Sequence, residues 1–287
     1  MGVILRLVIF AAVIVGIAAY VVAYGAQPAY ENPVLANDAP DPAVFRTDDG
    51  HDALGGRDLS ALLLGRTTRQ REMAIGVATA DSPTGPFTDS GGPIITGHGF
   101  SAIDPFVLEY GGTNYVYWGS AGEPISAQEL TADGTGLRGS PIEVLPRSSG
   151  EYESLIEGVW VTEHDDRFYL MYSGDACCGP EAHYAVMVAR SDSPLGPYSR
   201  NPDSPILEAN EEFNAPGHHA TIAGPDGSDW ILYHALVRPE TSFRSLFLDR
   251  IDWVDGWPVI NGGNGPSDCS TDAPHDPPIP RLPMCGG

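Results

Sequence analysis

The sequence predicts an all-β fold, a five-bladed β-propeller preceded by an N-terminal hydrophobic helix. Three observations predict it. The 287 residues include 34 glycines and 26 prolines, which suits short strands joined by tight turns better than a helical bundle. Strand-like segments of alternating apolar and aromatic residues recur along the chain. A polar residue able to do chemistry opens each recurrence: Asp41, Asp104, Glu157 and His218, spaced 63, 53 and 61 residues apart. A repeat of about 50–60 residues with several strands has the size of a propeller blade. Residues 27–287 are long enough for five, and no Ser- or Pro-rich linker divides them before residue 266, so they read as one domain.

The N-terminus comes first in order. Leu7 to Gly25 is an uncharged 19-residue stretch behind Arg6, and the chain then turns polar and acidic with Glu31, Asp38 and Asp41. Residues 1–26 are therefore a targeting segment outside the fold. They form either a signal peptide cut near Ala23-Tyr24-Gly25 or an uncleaved membrane anchor, which suits the length better. The charge flanks place the rest of the chain outside the membrane, in the extracellular space or at the cell surface.

The repeats follow. IGVATADSPTGPF (75–87) and VMVARSDSPLGPY (186–198) align at an offset of 111 residues, each an alternating run leading into a turn and a Gly-Pro-aromatic step. TNYVYWGS (113–120), DRFYLMYSG (166–174) and SDWILYHA (228–235) are aromatic strands that each follow a turn signal. Trp118, Tyr172 and Tyr233 hold equivalent places in them. In a propeller the first strands of the blades surround the axis. The four polar residues, remote in sequence, then meet at one end of it.

Composition narrows the function. The formal net charge is −23 and every basic residue is an arginine, which argues against a nucleic-acid partner. A hydrophobic content of 42% is enough to bury a core, so wholesale disorder is excluded. An acidic surface favours solubility as a monomer and is compatible with a neutral polymer as substrate. Of the four cysteines, Cys269 and Cys285 are placed to close a 17-residue loop, worth about 3 kcal/mol in the chain-entropy model. Cys177 and Cys178 are adjacent and form either a vicinal disulfide or two thiols. No CxxC pattern with matching histidines supports zinc.

Carboxylates that converge at a channel mouth suit acid–base hydrolysis. In inverting glycosidases one carboxylate activates water and a carboxylic acid protonates the leaving oxygen, roughly 6.5–9.5 Å away. A third carboxylate raises the acid's proton affinity by like-charge repulsion. Asp-Pro and Glu-Gly are also ordinary turn chemistry, so the shared place in a repeat is what singles these residues out.

The segments APDPAVFR (39–46), AIDPFVLEY (102–110), LIEGVWVTEHDDRFYLMYSG (155–174), APGHHATIAGPDGSDWILYHA (215–235) and LFLDRIDWVDGWPVINGGNGPS (246–267) together resemble glycoside hydrolase family 43. The resemblance runs from Asn32 to about Ser267. It implies a five-bladed propeller and inverting hydrolysis of arabinofuranosyl or other pentose linkages in poly- or oligosaccharides. It implies Asp41 as general base, Glu157 as general acid, and Asp104 as the carboxylate that tunes and positions the acid. It implies His218 beneath the sugar, where in many arabinan-cleaving members a calcium ion or water cluster sits in the channel; no other cofactor is required. Arg244 falls where the family often has an arginine reaching the sugar. Trp118, Trp160 and Phe213 are candidate sugar platforms, against the alternative of core packing. His219 reads as channel-lining or structural, and His234 as a satisfied strand residue. The insertion HDALGGRDLSALLLGRT (51–67) departs from the family and alters the first blade. A β-xylosidase or galactofuranosidase of the same fold is the alternative among enzymes. A glycan-binding or structural propeller is the alternative outside them, and the full set of three carboxylates argues against it.

Overall fold

The computed structural model describes residues 30–42, 44–46, 52–54, 62–67, 72–80, 85–224, 226–239 and 242–270. The expected targeting segment (1–26) and Cys285 lie outside the described residues. The described residues are all-β, with a single 3-10 turn at Asn261–Gly263 and no α-helix. Among them no helix is long and apolar enough to cross a membrane.

In chain order the strands are β1 (Tyr30–Glu31), β2 (Val44–Arg46), β3 (Asp52–Leu54), β4 (Leu62–Thr67), β5 (Met73–Thr79), β6 (Thr88–Thr96), β7 (Phe106–Tyr110), β8 (Thr113–Trp118), β9 (Ile125–Leu130) and β10 (Leu137–Leu145). There follow β11 (Ile156–His164), β12 (Arg167–Ala176), β13 (His183–Ser191), β14 (Ser199–Arg200), β15 (Phe213–Ala223), β16 (Asp229–Val237), β17 (Ser245–Val254), β18 (Trp257–Ile260) and β19 (Cys269–Ser270). Three four-stranded antiparallel meanders, β7–β10, β11–β14 and β15–β18, form the greater part of the described structure. A three-stranded sheet β4–β6 and a two-stranded sheet β2–β3 precede them. Tight turns such as Gly111-Gly112 and Asp165-Asp166, all four at positive φ, reverse the chain between first and second strands.

The repeats are structural. Trp118, Tyr172 and Tyr233 lie on β8, β12 and β16, each the second strand of its meander. Gly85 and Gly196, from the two copies offset by 111, share left-handed φ values of 80° and 83°. A Cβ on either would press at 3.0–3.1 Å on the backbone nitrogen two residues on, so only glycine fits this turn.

Apolar side chains fill the spaces between sheets. Tyr117, Tyr172, Ile125 and Ile156 belong to the core linking the first two meanders, and Tyr169, Tyr233, Ile231 and Phe247 to the core linking the second and third. Fully burying an aliphatic or aromatic side chain of this size contributes about 1.5–3 kcal/mol. The tyrosines keep their hydroxyls satisfied: Tyr172 donates to Glu153 at 2.6 Å and Tyr233 to Asp249 at 2.5 Å.

The two ends of the described chain meet. β1 pairs antiparallel with β19, and the Asn32 side chain donates to the carbonyls of Leu248 and Ser267, both at 3.0 Å. Leu35 bridges to Leu246. The segment that carries Asp41 is thereby fixed against the third meander. Cys269, on β19, is disulfide-bonded. Cys177 and Cys178 are free thiols.

The strands that open the sheets stand side by side, with β7 against β11, β11 against β15 and β15 against β2. All four polar residues that open the repeats lie on these strands or just ahead of them.

Candidate active site

Asp41 and Asp104 each precede a first strand, in Asp-Pro dipeptides with φ of 55° and 56°. This left-handed conformation is uncommon for a residue with a side chain, though aspartate is among those that adopt it most. Glu157 and His218 sit within β11 and β15, at breaks in pairing. The β11–β12 register shifts between Glu157 and Trp160, and the β15–β16 register shifts on both sides of Gly217. Such bulges re-aim side chains beside functional sites. Gly158 has φ 58°, and a Cβ there would lie 3.3 Å from the His218 ring, so glycine lets the two strands approach.

A cavity of about 430 Å³ opens between the sheets. Asp41, Asp104, His218 and His219 form its polar wall, and Phe100, Phe106 and Trp160 its aromatic wall. Gly158 lines it, placing Glu157 one residue from the wall.

Asp41 is half-exposed and held by Arg244 and His218. Arg244 Nη1 lies 3.2 Å and His218 Nδ1 3.3 Å from its Oδ1. His234 Nδ1 lies 3.3 Å from the Asp41 backbone nitrogen and 3.5 Å from Asp41 Oδ1. Burial raises the proton affinity of the Asp41 carboxyl, but the contacts with His234, His218 and Arg244 outweigh it and bring its pKa to about 2. Asp104 is more buried. It accepts the Gly158 N–H at 3.1 Å and lies 3.9 Å from His218 Nδ1. Burial, aided by the negative charges of Glu157 and Asp41 and opposed by His218 and Gly158, pushes its pKa up to about 6.

Glu157 is fixed by two hydroxyls. Ser120 donates to Oε2 at 2.6 Å and Tyr184 to Oε1 at 2.9 Å. Burial holds the Tyr184 phenol well above its ordinary proton affinity, so it stays a donor. Tyr184 also stacks on His234, with ring centroids 5.8 Å apart. The His218 backbone N–H donates to Ser173 Oγ at 2.9 Å. Burial lowers His234 to about 4 and His219 to about 3, so both are neutral near pH 7.

The structure thus brings Asp41, Asp104, Glu157, His218 and Arg244 together, and Trp160 reaches the cavity with its ring tilted against Phe106, centroids 4.5 Å apart. Trp118 and Phe213 depart from the expectation of sugar platforms. Trp118 is 9% exposed in the core with Ile75 and Val116, and Phe213 is 5% exposed against Phe247. Neither lines the cavity. An aromatic residue on an inner strand serves the space between sheets equally well. Ser120, Tyr184 and Phe100 carry no sequence signal of a role here. His234, read as a strand residue, proves to support Asp41. Calcium takes six to eight oxygen ligands. Among the described residues no three His, Cys, Asp or Glu side chains are arranged to hold a metal ion, and His218 Nδ1 faces carboxylates. These residues do not by themselves supply the oxygen ligands of a calcium cage.

Carboxylates of contrasting proton affinity around one cavity are the layout of glycoside hydrolases. The family model for glycosyl hydrolases family 43 matches residues 62–258, and the chain belongs to that family. Asp104, Glu157 and His218 fall inside the matched stretch; Asp41 lies ahead of it. A probable arabinan endo-1,5-alpha-L-arabinosidase A of Aspergillus flavus is 26% identical over 211 residues, covering 66% of this chain and 66% of that protein. A beta-D-galactofuranosidase of Aspergillus niger is 32% identical over 195 residues, covering 65% of this chain and 54% of that one. The matches thus span two thirds or less of these curated relatives. A crystal structure of a thermostable family-43 glycoside hydrolase superposes with a TM-score of 0.71 at 22% identity, covering 85% of this chain and 99% of that one.

Proposed function

We propose that the chain is an inverting glycoside hydrolase acting on arabinofuranosyl or other pentose linkages in poly- or oligosaccharides, built on a five-bladed propeller. The observation that carries this reading is the convergence of Asp41 and Asp104, of opposite proton affinity, on one cavity beside Glu157. Asp41, ionised above about pH 2, takes a proton from the water that attacks the anomeric carbon. Glu157, aimed by Ser120 and Tyr184, gives its proton to the departing oxygen. Asp104, hydrogen-bonded to the residue after Glu157, is the positioning carboxylate, and its negative charge favours the protonated acid. Trp160 is the sugar platform and Arg244 a substrate contact as well as a partner of Asp41. The protein acts as an exported monomer, with residues 1–26 serving as signal or anchor and Cys285 as the partner of Cys269.

The printed activity of the Aspergillus flavus relative favours arabinan. The higher identity to the Aspergillus niger protein supports a second reading, galactofuranoside cleavage by the same residues.

The test incubates the full chain with arabinan, arabinoxylan, xylan and aryl pentofuranosides, pentopyranosides and galactofuranosides. Product size and anomeric configuration are followed by chromatography and NMR. Release with inverted configuration, lost in Glu157→Gln, is the expected result. Retained configuration, or a Glu157→Gln protein of near-normal activity, overturns the mechanism. Binding without cleavage makes the chain a glycan-binding module.

A further inference from the structure

The turn between β12 and β13 holds a feature that the hydrolytic reading does not use. Cys177 and Cys178 follow directly on β12, and both are free. Cys178 is exposed, whereas Cys177 is partly buried against the cluster of Tyr184, Ala215 and Leu236. Tyr184 is the residue whose hydroxyl holds Glu157 at 2.9 Å. The charges of Arg244 and Glu157 both reach the Cys177 thiol, so the pair borders the catalytic cluster. The turn is anchored on both sides: the Ala182 N–H donates to the Gly179 carbonyl at 3.1 Å, and the Asn214 side chain on β15 donates to the Ala182 carbonyl at 3.3 Å.

We propose that Cys177 and Cys178 are a thiol-modification site at the edge of the active site, where exchange with a small organic disulfide closes a vicinal disulfide and slows turnover by loosening Tyr184 from Glu157. This proposal rests on the hydrolase reading for its effect, though not for the chemistry of the thiols. The exposed Cys178, as thiolate, attacks one sulfur of the organic disulfide. A bond to Cys178 forms, the organic S–S bond breaks, and one organic thiolate leaves with the electron pair. Cys177 then loses its proton, and its thiolate attacks the Cys178 sulfur. The Cys177–Cys178 bond forms and the second organic thiolate leaves. Two protein thiols are oxidised by two electrons, and one organic disulfide is reduced to two thiols. Burial and the neighbouring Cys178 push the Cys177 thiol up to about 12, so the second step is the slow one. Ring closure turns the existing Cys177–Cys178 side-chain contact into a bond and so repacks Cys177 against the cluster that contains Tyr184. Glu157 loses the fixing of one carboxylate oxygen, which acts on kcat more than on KM.

The experiment treats the full chain with excess oxidised glutathione. It counts thiols after denaturation, maps the modified peptide by mass, and measures kcat and KM on the best substrate. The expected result is loss of both thiols as an internal disulfide, recorded as the loss of two hydrogens from one peptide. With it kcat falls on the order of tenfold, as for one weakened hydrogen bond to an ionisable group, and a mild dithiol restores it. Cys178→Ser, at the exposed position, keeps the untreated kcat and does not form the ring. Persistence of both thiols, a mixed disulfide that never closes, or a ring that leaves kcat unchanged overturns the proposal. A chain inactive on every glycoside before oxidation overturns the hydrolase reading instead, and mass still decides whether the ring forms.

Discussion

Asp41 and Asp104 are the same residue in the same local setting. Each precedes a proline, each has φ near 55°, each opens a first strand, and each lies within 4 Å of His218 Nδ1. Their chemistry is opposite: one carboxyl falls to about 2 and the other rises to about 6. The Asp41 side chain is 46% exposed and has Arg244 on one oxygen. That of Asp104 is 17% exposed and has a neutral backbone N–H as its closest donor. The dipeptide sets the backbone and the direction of the side chain. The proton affinity comes from neighbours on other sheets, and it separates the proposed base from the proposed positioning carboxylate.

The largest test of that contrast removes each charge without removing its shape. Asp41→Asn loses the base, and kcat is expected to fall by about 10³–10⁴. Asp104→Asn leaves both proton-transfer groups in place, and kcat is expected to fall by about 10² through misplacement of Glu157. Steady-state kinetics on one aryl glycoside decides it. Equal losses would remove the distinction between the two aspartates. The pH dependence sharpens it further. Wild-type kcat/KM is expected to rise through about pH 6 as Asp104 ionises, and Asp104→Asn to lack that inflection.

Stability separates the pair with opposite signs. The folded pKa of Asp104 lies above the ordinary 3.8, so its contribution is fully present below pH 3.8 and is lost as pH rises through about 6. Above that, the ionised carboxylate costs up to about 3 kcal/mol, and Asp104→Asn is expected to gain on wild type between pH 4 and pH 7. The folded pKa of Asp41 lies below the ordinary 3.8. Its contribution is present above pH 3.8 and is lost as pH falls toward about 2. Urea denaturation of both variants across pH 2–7 reads both slopes. An Asp104→Asn protein that parallels wild type throughout would mean that Asp104 is solvated in the folded state.

These signs also mark what the sequence could disclose. The meanders were legible, because the turn pairs and aromatic strands recur at near-constant spacing. Asp41, Asp104, Glu157 and His218 were legible because each opens a repeat. Ser120, Tyr184 and His234 were not. They lie on or beside second and third strands, where apolar alternation makes every inward residue look like core. Only the folded sheets put the Tyr184 hydroxyl on Glu157 and the His234 ring under Asp41. Trp118 and Phe213 failed for the converse reason, since inner-strand aromatics occur in cores and in sugar sites alike.

The smallest expected effect belongs to Arg244. Its guanidinium shares Asp41 Oδ1 with His218 Nδ1, and its backbone N–H donates to Asp38 at 3.0 Å, so the loop and Asp41 are tied together. Arg244→Ala removes one of several groups that hold Asp41 low, and solvent screens part of the loss because Asp41 is half-exposed. In the Asp104→Asn background, where the inflection near pH 6 is absent, the acid edge of kcat/KM set by Asp41 is therefore expected to move upward by less than about one pH unit. If Arg244 also touches the sugar, KM rises alongside this shift; if it only holds Asp41, KM stays and the edge alone moves. An unmoved edge with KM unchanged would assign the depression of Asp41 to the two histidines, and the contrast with Asp104 would then rest on imidazoles alone.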